Sequence, residues 1–194
     1  MRVVLQRVRE AAVAVDGQVT GKIGPGRLVL AGFEDTDSET DLAWMAGKVV
    51  RMRLFADDSG VMNRSVQEVG GGILAVSQFT LYAAVKKGNR PSWSRAARGD
   101  VSQPLFERFV AKLGRELGRP VATGVFGADM QVSLVNDGPV TVCIDSRSTE
   151  KASARSGPRV AASPRDRGVS RRRRRRGGFR RTRGACRAAG SSFH

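Results

Sequence analysis

Three short stretches hold the polar groups that could do chemistry. In "SQFTLY", residues 77–82, Ser77, Gln78 and Thr80 stand at the end of an otherwise apolar strand, where alternation puts Gln78 and Thr80 on one side. Such groups can serve a binding site or simply satisfy backbone and solvent. "KKGNRPSW", residues 86–93, is basic, broken by Gly and Pro, and ends in an aromatic. It suits contact with a phosphate or a stacked base, and equally suits an ordinary surface loop. In "VSLVNDGPVTVCID", residues 132–145, two apolar runs meet at Asn136-Asp137-Gly138-Pro139. Asp-Gly is a two-residue hairpin signal, but the proline after it removes a backbone donor where the second strand should begin pairing. Taken alone, the stretch reads as a hairpin turn.

Other chemistries are excluded by what is missing around these stretches. The only histidine is His194, the last residue, so the body has no imidazole for a Ser-His or Cys-His pair and no histidine metal ligand. The acids are scattered over helix ends, turns and loops. Asp57-Asp58, the closest pair, reads as solvated and forms no acid/base dyad. There is no Walker A loop, and Gly70-Gly71-Gly72 precedes a strand and not a helix, so it reads as a flexible bend. Cys143 and Cys186 have neither metal spacing nor a disulfide framework, which fits a reducing cytoplasm. No metal or other cofactor is expected. No apolar run approaches the roughly 20 residues of a membrane span, and the start "MRVVLQRVREAAVAVDG" is too polar for a signal peptide. A cytoplasmic protein without membrane attachment is expected.

The elements that must position these stretches follow from periodicity. "MRVVLQRV" and "AAVAV" read as strands, Asp16-Gly17 turns the chain into "QVTGKI", and Gly24-Pro25-Gly26 leads into the buried-looking "RLVLAGF". Leu42, Met45, Val49 and Met52 follow a cluster of capping residues and acids, which predicts an amphipathic helix over roughly 38–52. A second helix is predicted after Ser102, with Pro104 near its first turn, Leu105, Phe106, Phe109, Val110, Leu113 and Leu117 on one face, and Gly118 and Pro120 stopping it. Short strand-like runs lie between and after: "RLFAD", "GGILAVSQFTLYA", "VATGVFG", "MQVSLVN" and "VTVCID". Many strands with two segregated helices indicate an α+β fold.

The charge is equally uneven. The chain of 194 residues carries 34 Lys+Arg against 18 Asp+Glu, a net +16 that suggests a nucleic-acid binder throughout. Residues 147–194, however, hold 16 basic and 2 acidic residues, or +14, which leaves 18 basic and 16 acidic, or +2, on residues 1–146. A body of that size is expected to form one globular domain. The Arg-rich tail 147–194, with six consecutive arginines from Arg171 to Arg176, is too poor in apolar residues to offset its ordering entropy and is expected to be disordered. Wrong-frame translation of GC-rich sequence would also produce such a tail.

In order along the chain, "QRV", the "DG" turn, Met62-Asn63, "SQFTLY", "GNRPS" and "ADMQVSLVNDGPVT" resemble the D-aminoacyl-tRNA deacylase family over essentially all of residues 1–146. The resemblance maps Ser77, Gln78, Thr80 and Leu81 onto one family motif. It maps Gly138, Pro139, Val140 and Thr141 onto the other, a Gly-cis-Pro pair, and Arg7 onto the arginine that supports that loop. Trp93 stands where the family commonly has phenylalanine, and the tail has no counterpart there. With the strand-rich pattern, the resemblance implies a curved, mainly antiparallel, barrel-like sheet with two helices. It also implies a homodimer in which the Gly-Pro of one subunit enters the pocket of the other.

The implied function is hydrolysis of the ester of D-aminoacyl-tRNA, a chiral proofreading step in translation. An L-side chain would strike the Gly138-Pro139 carbonyls, whereas glycyl-tRNA, with no side chain, should leak through. Thr80 has no base to activate it, so covalent catalysis is not expected. In the expected mechanism Gln78 and the backbone around Phe79 and Thr80 position the ester, with Ser77 in support. Backbone N–H groups stabilise the oxyanion and the neighbouring 2′-hydroxyl of the substrate assists. The competing class is a non-enzymatic tRNA- or RNA-binding accessory protein that uses "KKGNRPSW" and the arginine tail, against which the near-neutral body argues.

Overall fold

The computed structural model describes residues 1–148, and the expectations for the remainder of the arginine tail lie outside the described residues. Strand β1 runs from Arg2 to Val15, β2 from Gln18 to Ile23 and β3 from Gly26 to Gly32, with α1 at Glu39–Arg51. The short strands β4 (Phe55–Ala56) and β5 (Met62–Arg64) follow, then β6 (Gly72–Ser77), a single 3₁₀ turn (Phe79–Tyr82), α2 (Gly99–Leu117), β7 (Ala122–Thr123) and β8 (Gln131–Asp145).

The six-stranded sheet is organised by β1. One edge of β1 pairs antiparallel with β3 over its first half and with β2 over its second, and the other edge pairs antiparallel with β8 along nearly its full length. β3–β6 and β6–β7 are parallel. The far edges curl toward each other: a Cβ on Gly21 of β2 would come within 2.5 Å of the Thr123 carbonyl of β7, so only glycine allows that approach. The result is the expected α+β architecture with a nearly closed, barrel-like sheet. The α1 connection makes β3 and β6 parallel neighbours, because a helical crossover returns the chain in the same direction.

Strand alternation separates two apolar clusters. Leu28, Leu74 and Val76 join Val8, Ala11 and Val13 inside the curl of the sheet, while Val29, Ala31, Ile73 and Ala75 face α1 and α2. β1 serves both clusters, with Val3 and Leu5 toward the helices and Ala11 and Val13 toward the interior. Its β8 ladder shifts register between Gln6 and Val8 and again between Val8 and Glu10. Such bulges re-aim a strand.

Helix α1 begins where its sequence signal placed it. Ser38 is the N-cap, its hydroxyl accepts the Asp41 N–H, and the Asp41 carboxylate accepts the Ser38 N–H at 2.9 Å in a reciprocal capping box. At the other end Arg27, fully buried on β3, donates to the carbonyls of Val49 and Met52, and burial lowers its pKa to about 10. Helix α2 starts earlier than its apolar pattern, at Gly99 after the N-cap Arg98. Pro104 therefore lies in the second turn, where its ring removes one intrahelical donor, and not near the first. Gly99 and Asp100 carry no periodic apolar signal, which hid this start. The expected face is confirmed in Leu105, Phe106, Phe109, Leu113 and Leu117, all buried.

Three further expectations are corrected. "MRVVLQRV" and "AAVAV" form one strand. Asn136-Asp137-Gly138-Pro139 is no hairpin, because β8 continues through it with β1 as partner on both sides. The glycines Gly70-Gly71-Gly72 are not simply a flexible bend: Gly72 opens β6, and a Cβ on Gly26 would lie 2.1 Å from the Gly72 carbonyl, so two backbones cross in contact there.

Candidate functional site

Where β3 and β6 end side by side, a cavity of about 530 Å³ opens between the sheet and α2. Ala31, Gly32, Val76, Ser77, Gln78 and Phe79 form its floor, and Phe33, Trp93, Ala96, Ala97, Gly99 and Ser102 form one wall. The loop Phe126–Met130, with Val132, forms the other. A crevice at the carboxyl ends of adjacent parallel strands is a usual place for a ligand site in a sheet of this kind. Of the first motif, Ser77, Gln78 and Phe79 line this cavity.

The local backbone differs from the expected strand end. β6 stops at Ser77, and Phe79, Thr80, Leu81 and Tyr82 turn as a single 3₁₀ segment, so strand alternation does not relate Gln78 to Thr80. They meet through a hydrogen bond instead, the Gln78 Nε2–H donating to Thr80 Oγ1 at 2.5 Å. An amide cannot take up a proton, so this bond engages the Thr80 oxygen without activating it. The Gln78 N–H continues the sheet to the Ala31 carbonyl at 2.7 Å, while the N–H groups of Phe79 and Thr80 meet no acceptor among the described residues. Of these two residues Phe79 lines the cavity and Thr80 does not, so one unpartnered backbone donor belongs to a lining residue and the second to its neighbour in the chain. Tyr82 closes the segment from below, fully buried, with the Arg2 guanidinium 4.6 Å from its ring centre and burial raising its pKa.

The second motif lies elsewhere. Gly138-Pro139 is a cis peptide with Gly138 at φ +125°. It protrudes from β8 where the ladder passes from Gln6↔Thr141 to Val8↔Asn136, so four residues of β8 stand opposite Arg7 alone. Arg7 holds this protrusion, donating from Nε to the Asp137 carbonyl at 3.1 Å, pairing with the Asp137 carboxylate at 3.0 Å, and donating from Nη1 to the Leu54 carbonyl. Val140 N–H is 3.4 Å from Asn136 Oδ1, and Thr141 resumes the ladder. Arg7 is level with Arg27 of β3, which is level with Ile73 of β6, four residues before Ser77. At about 3.3 Å per residue and about 4.8 Å per strand, Gly138-Pro139 and Ser77 of one chain are separated by about 19 Å along the sheet. The structure therefore brings Arg7 to the Gly-Pro loop, and it does not bring that loop to the cavity of its own chain.

Comparison with known proteins identifies the family. The family description "D-Tyr-tRNA(Tyr) deacylase" matches residues 4–145. The chain belongs to that family. Its members are hydrolases, so the chain is an enzyme and the accessory-protein alternative is set aside. The chain is 77% identical over 150 residues to a protein of Dechloromonas aromatica named D-aminoacyl-tRNA deacylase, covering 77% of this chain and all of that one. It is 62% identical to a protein of the same name from Chromobacterium violaceum, with the same coverage. Among solved structures, one titled c-Myc DNA Unwinding Element Binding Protein is 38% identical, with a TM-score of 0.69 over 75% of this chain and 98% of that one. One described as a probable eukaryotic D-amino acid tRNA deacylase, 23% identical with a TM-score of 0.63 over 74% and 97%, shares the fold.

The cavity and its surroundings also hold groups that sequence reasoning passed over. Asp129 is the only charged side chain among the lining residues, and it is exposed. The Ala97 N–H bonds the Phe33 carbonyl at 2.9 Å and fixes the wall. Arg95 anchors the same wall to Glu34 at 2.8 Å. Glu34 and Asp37 also bind Arg147, at 3.2 and 3.1 Å, and Asp37 pairs with the Met1 amino group. Nothing local in the sequence linked these positions, because the ion network joins both ends of the body across the fold.

Proposed function

We propose that this deacylase hydrolyses the ester between a D-amino acid and the terminal ribose of tRNA, releases both, and rejects the L-form sterically. The carrying observation is the first motif at the cavity floor: Gln78 and Phe79 line it, the backbone N–H groups of Phe79 and of the adjoining Thr80 have no acceptor among the described residues, and no general base is bonded to Thr80. Such a site positions an ester and stabilises an oxyanion, and it lacks the parts for covalent catalysis. The 2′-hydroxyl next to the ester then supplies the neighbouring group. Ser77 supports the floor.

Chirality is read by Gly138 and Pro139 of a second subunit. Support comes from the separation of about 19 Å along the sheet between the loop and its own cavity, and from the loop's rigid support on Arg7. Val140 and Thr141 carry the loop back into β8. Because rejection acts on the side chain, glycyl-tRNA, including glycine mischarged on tRNA(Ala), is also hydrolysed. The working form is a homodimer acting in the cytoplasm, where aminoacyl-tRNA is used.

The test is deacylation of D-, L- and glycyl-tRNA by the full chain. Turnover of the D- and glycyl-esters with the L-ester left intact supports the reading. Equal hydrolysis of all three, or of none, overturns it.

A further inference from the structure

The basic stretch 86–93 takes no part in the ester chemistry described above. Its base is closed by the Ala84 N–H to Ser92 carbonyl bond at 2.8 Å and the reciprocal bond at 3.0 Å. Gly88, at φ +65°, allows the tip to reverse. Lys86, Lys87 and Arg90 stand exposed on that tip, and among the described residues none of them reaches a carboxylate. The next two cations differ: Arg95 is paired with Glu34 at 2.8 Å and Arg98 lies 3.8 Å from Asp100.

The loop leads directly into the cavity wall. Trp93, which follows its closing bridge, lines the cavity wall and meets Phe79 of the floor edge-on at 5.4 Å. The opposite lip, Phe126–Met130, has Asp129 and no cation. On a body with 18 basic and 16 acidic residues over 1–146, three unneutralised cations on the loop that precedes this wall make a local field that a polyanion would follow.

We propose that the loop Lys86–Arg90 is a phosphate-binding surface that receives the RNA backbone leading to the esterified end. This rests on the deacylase reading and adds where the rest of the substrate lies. Each phosphate contact steepens the fall of affinity with salt by about 0.7–0.9 log units per log unit. Three contacts therefore weaken binding by about 20–40-fold between 50 and 200 mM salt, beyond any other contribution.

The test compares the full chain with its Lys86→Ala/Lys87→Ala/Arg90→Ala variant in two assays. Binding of an uncharged tRNA acceptor-stem hairpin is followed by anisotropy from 50 to 200 mM salt. Hydrolysis is measured on D-aminoacyl-tRNA and on D-aminoacyl-adenosine, which has no upstream phosphate. The expected result is a salt slope reduced by about 2–3 for the hairpin, a raised KM on the tRNA with kcat unchanged, and unchanged hydrolysis of the adenosine ester. Equal salt slopes overturn the proposal, as does equal loss on both esters, which would place the loop's effect inside the cavity. If the unmodified chain hydrolyses neither ester, the deacylase reading fails, and the hairpin slopes still decide whether the loop binds phosphate.

Discussion

Gly138→Ala probes the Gly-Pro loop most sharply, because two separate obstacles meet at one Cβ. Gly138 has φ +125°, a conformation that an L-residue adopts only under strain, at a cost of about 1–3 kcal/mol. The new methyl would also lie 2.8 Å from Val140 Cγ2 and 2.9 Å from Arg7 Nη2. Arg7 cannot simply withdraw, since its guanidinium holds the Asp137 carbonyl and carboxylate and the Leu54 carbonyl. Loosening one charge-assisted bond adds about 1.5–3 kcal/mol. The total is about 2.5–6 kcal/mol, which for a domain of this size, at about 2–4 °C per kcal/mol, lowers Tm by about 5–24 °C. Gly17→Ala is the control: its φ is +77°, but nothing lies within 4 Å of the added Cβ. That variant should lose about 1–2 kcal/mol and keep its activity. Thermal unfolding and deacylation of D- and L-aminoacyl-tRNA are read together. Gly138→Ala should lower kcat/KM on the D-ester by about 10²-fold, the scale of a 1 Å misplacement, and narrow the D-over-L ratio. Matching Tm values for the two variants, with the ratio intact, would refute the reasoning.

Other outcomes are expected elsewhere in the molecule. Thr80→Ala removes only the acceptor of the Gln78 bond, so activity should fall by about tenfold; a loss of order 10⁶ in kcat would establish a covalent nucleophile. Ser38→Ala should cost about 1 kcal/mol at neutral pH in denaturant titrations. The Ser38 hydroxyl also donates to the Asp41 carboxylate and holds its pKa below its usual 3.8, so this part of the contribution is present above that value and lost as pH falls through the lower folded value, while the cap bond accepted from the Asp41 N–H does not titrate. A Ser38→Ala penalty with no decrease at all toward acid pH would contradict the carboxylate part of the assignment. Deleting residues 149–194 spares the Arg147 pairs with Glu34 and Asp37; if the tail captures tRNA, KM at low salt should rise while kcat and chiral preference stay constant, and identical salt slopes would exclude that role.

Legibility in the sequence depended on whether a feature was local. Ser38 and Asp41 announced α1 because a capping box is four consecutive residues, and the apolar face of α2 was visible because its residues recur at helical spacing. The start of α2 was hidden by Gly99 and Asp100, which carry no apolar signal. Asp137-Gly138 misled because the same dipeptide serves hairpins and bulged strands, and only the partner strand decides between them. Gln78 and Thr80 were rightly associated for a wrong reason, since a 3₁₀ turn and not strand alternation joins them. The Phe126–Met130 wall and the Glu34–Arg95–Arg147 network were invisible, because their partners are brought together only by the fold.

The most direct test of a pocket completed by a second chain mixes two impaired variants, Gln78→Ala and Gly138→Ala, under conditions that allow subunit exchange. If each pocket takes its floor from one chain and its Gly-Pro from the other, a mixed dimer holds one intact pocket and one doubly altered pocket. Random exchange should then restore about a quarter of the unmodified activity on D-aminoacyl-tRNA. If floor and loop of the same chain work together, no intact pocket forms, and activity would stay at the average of the two variants.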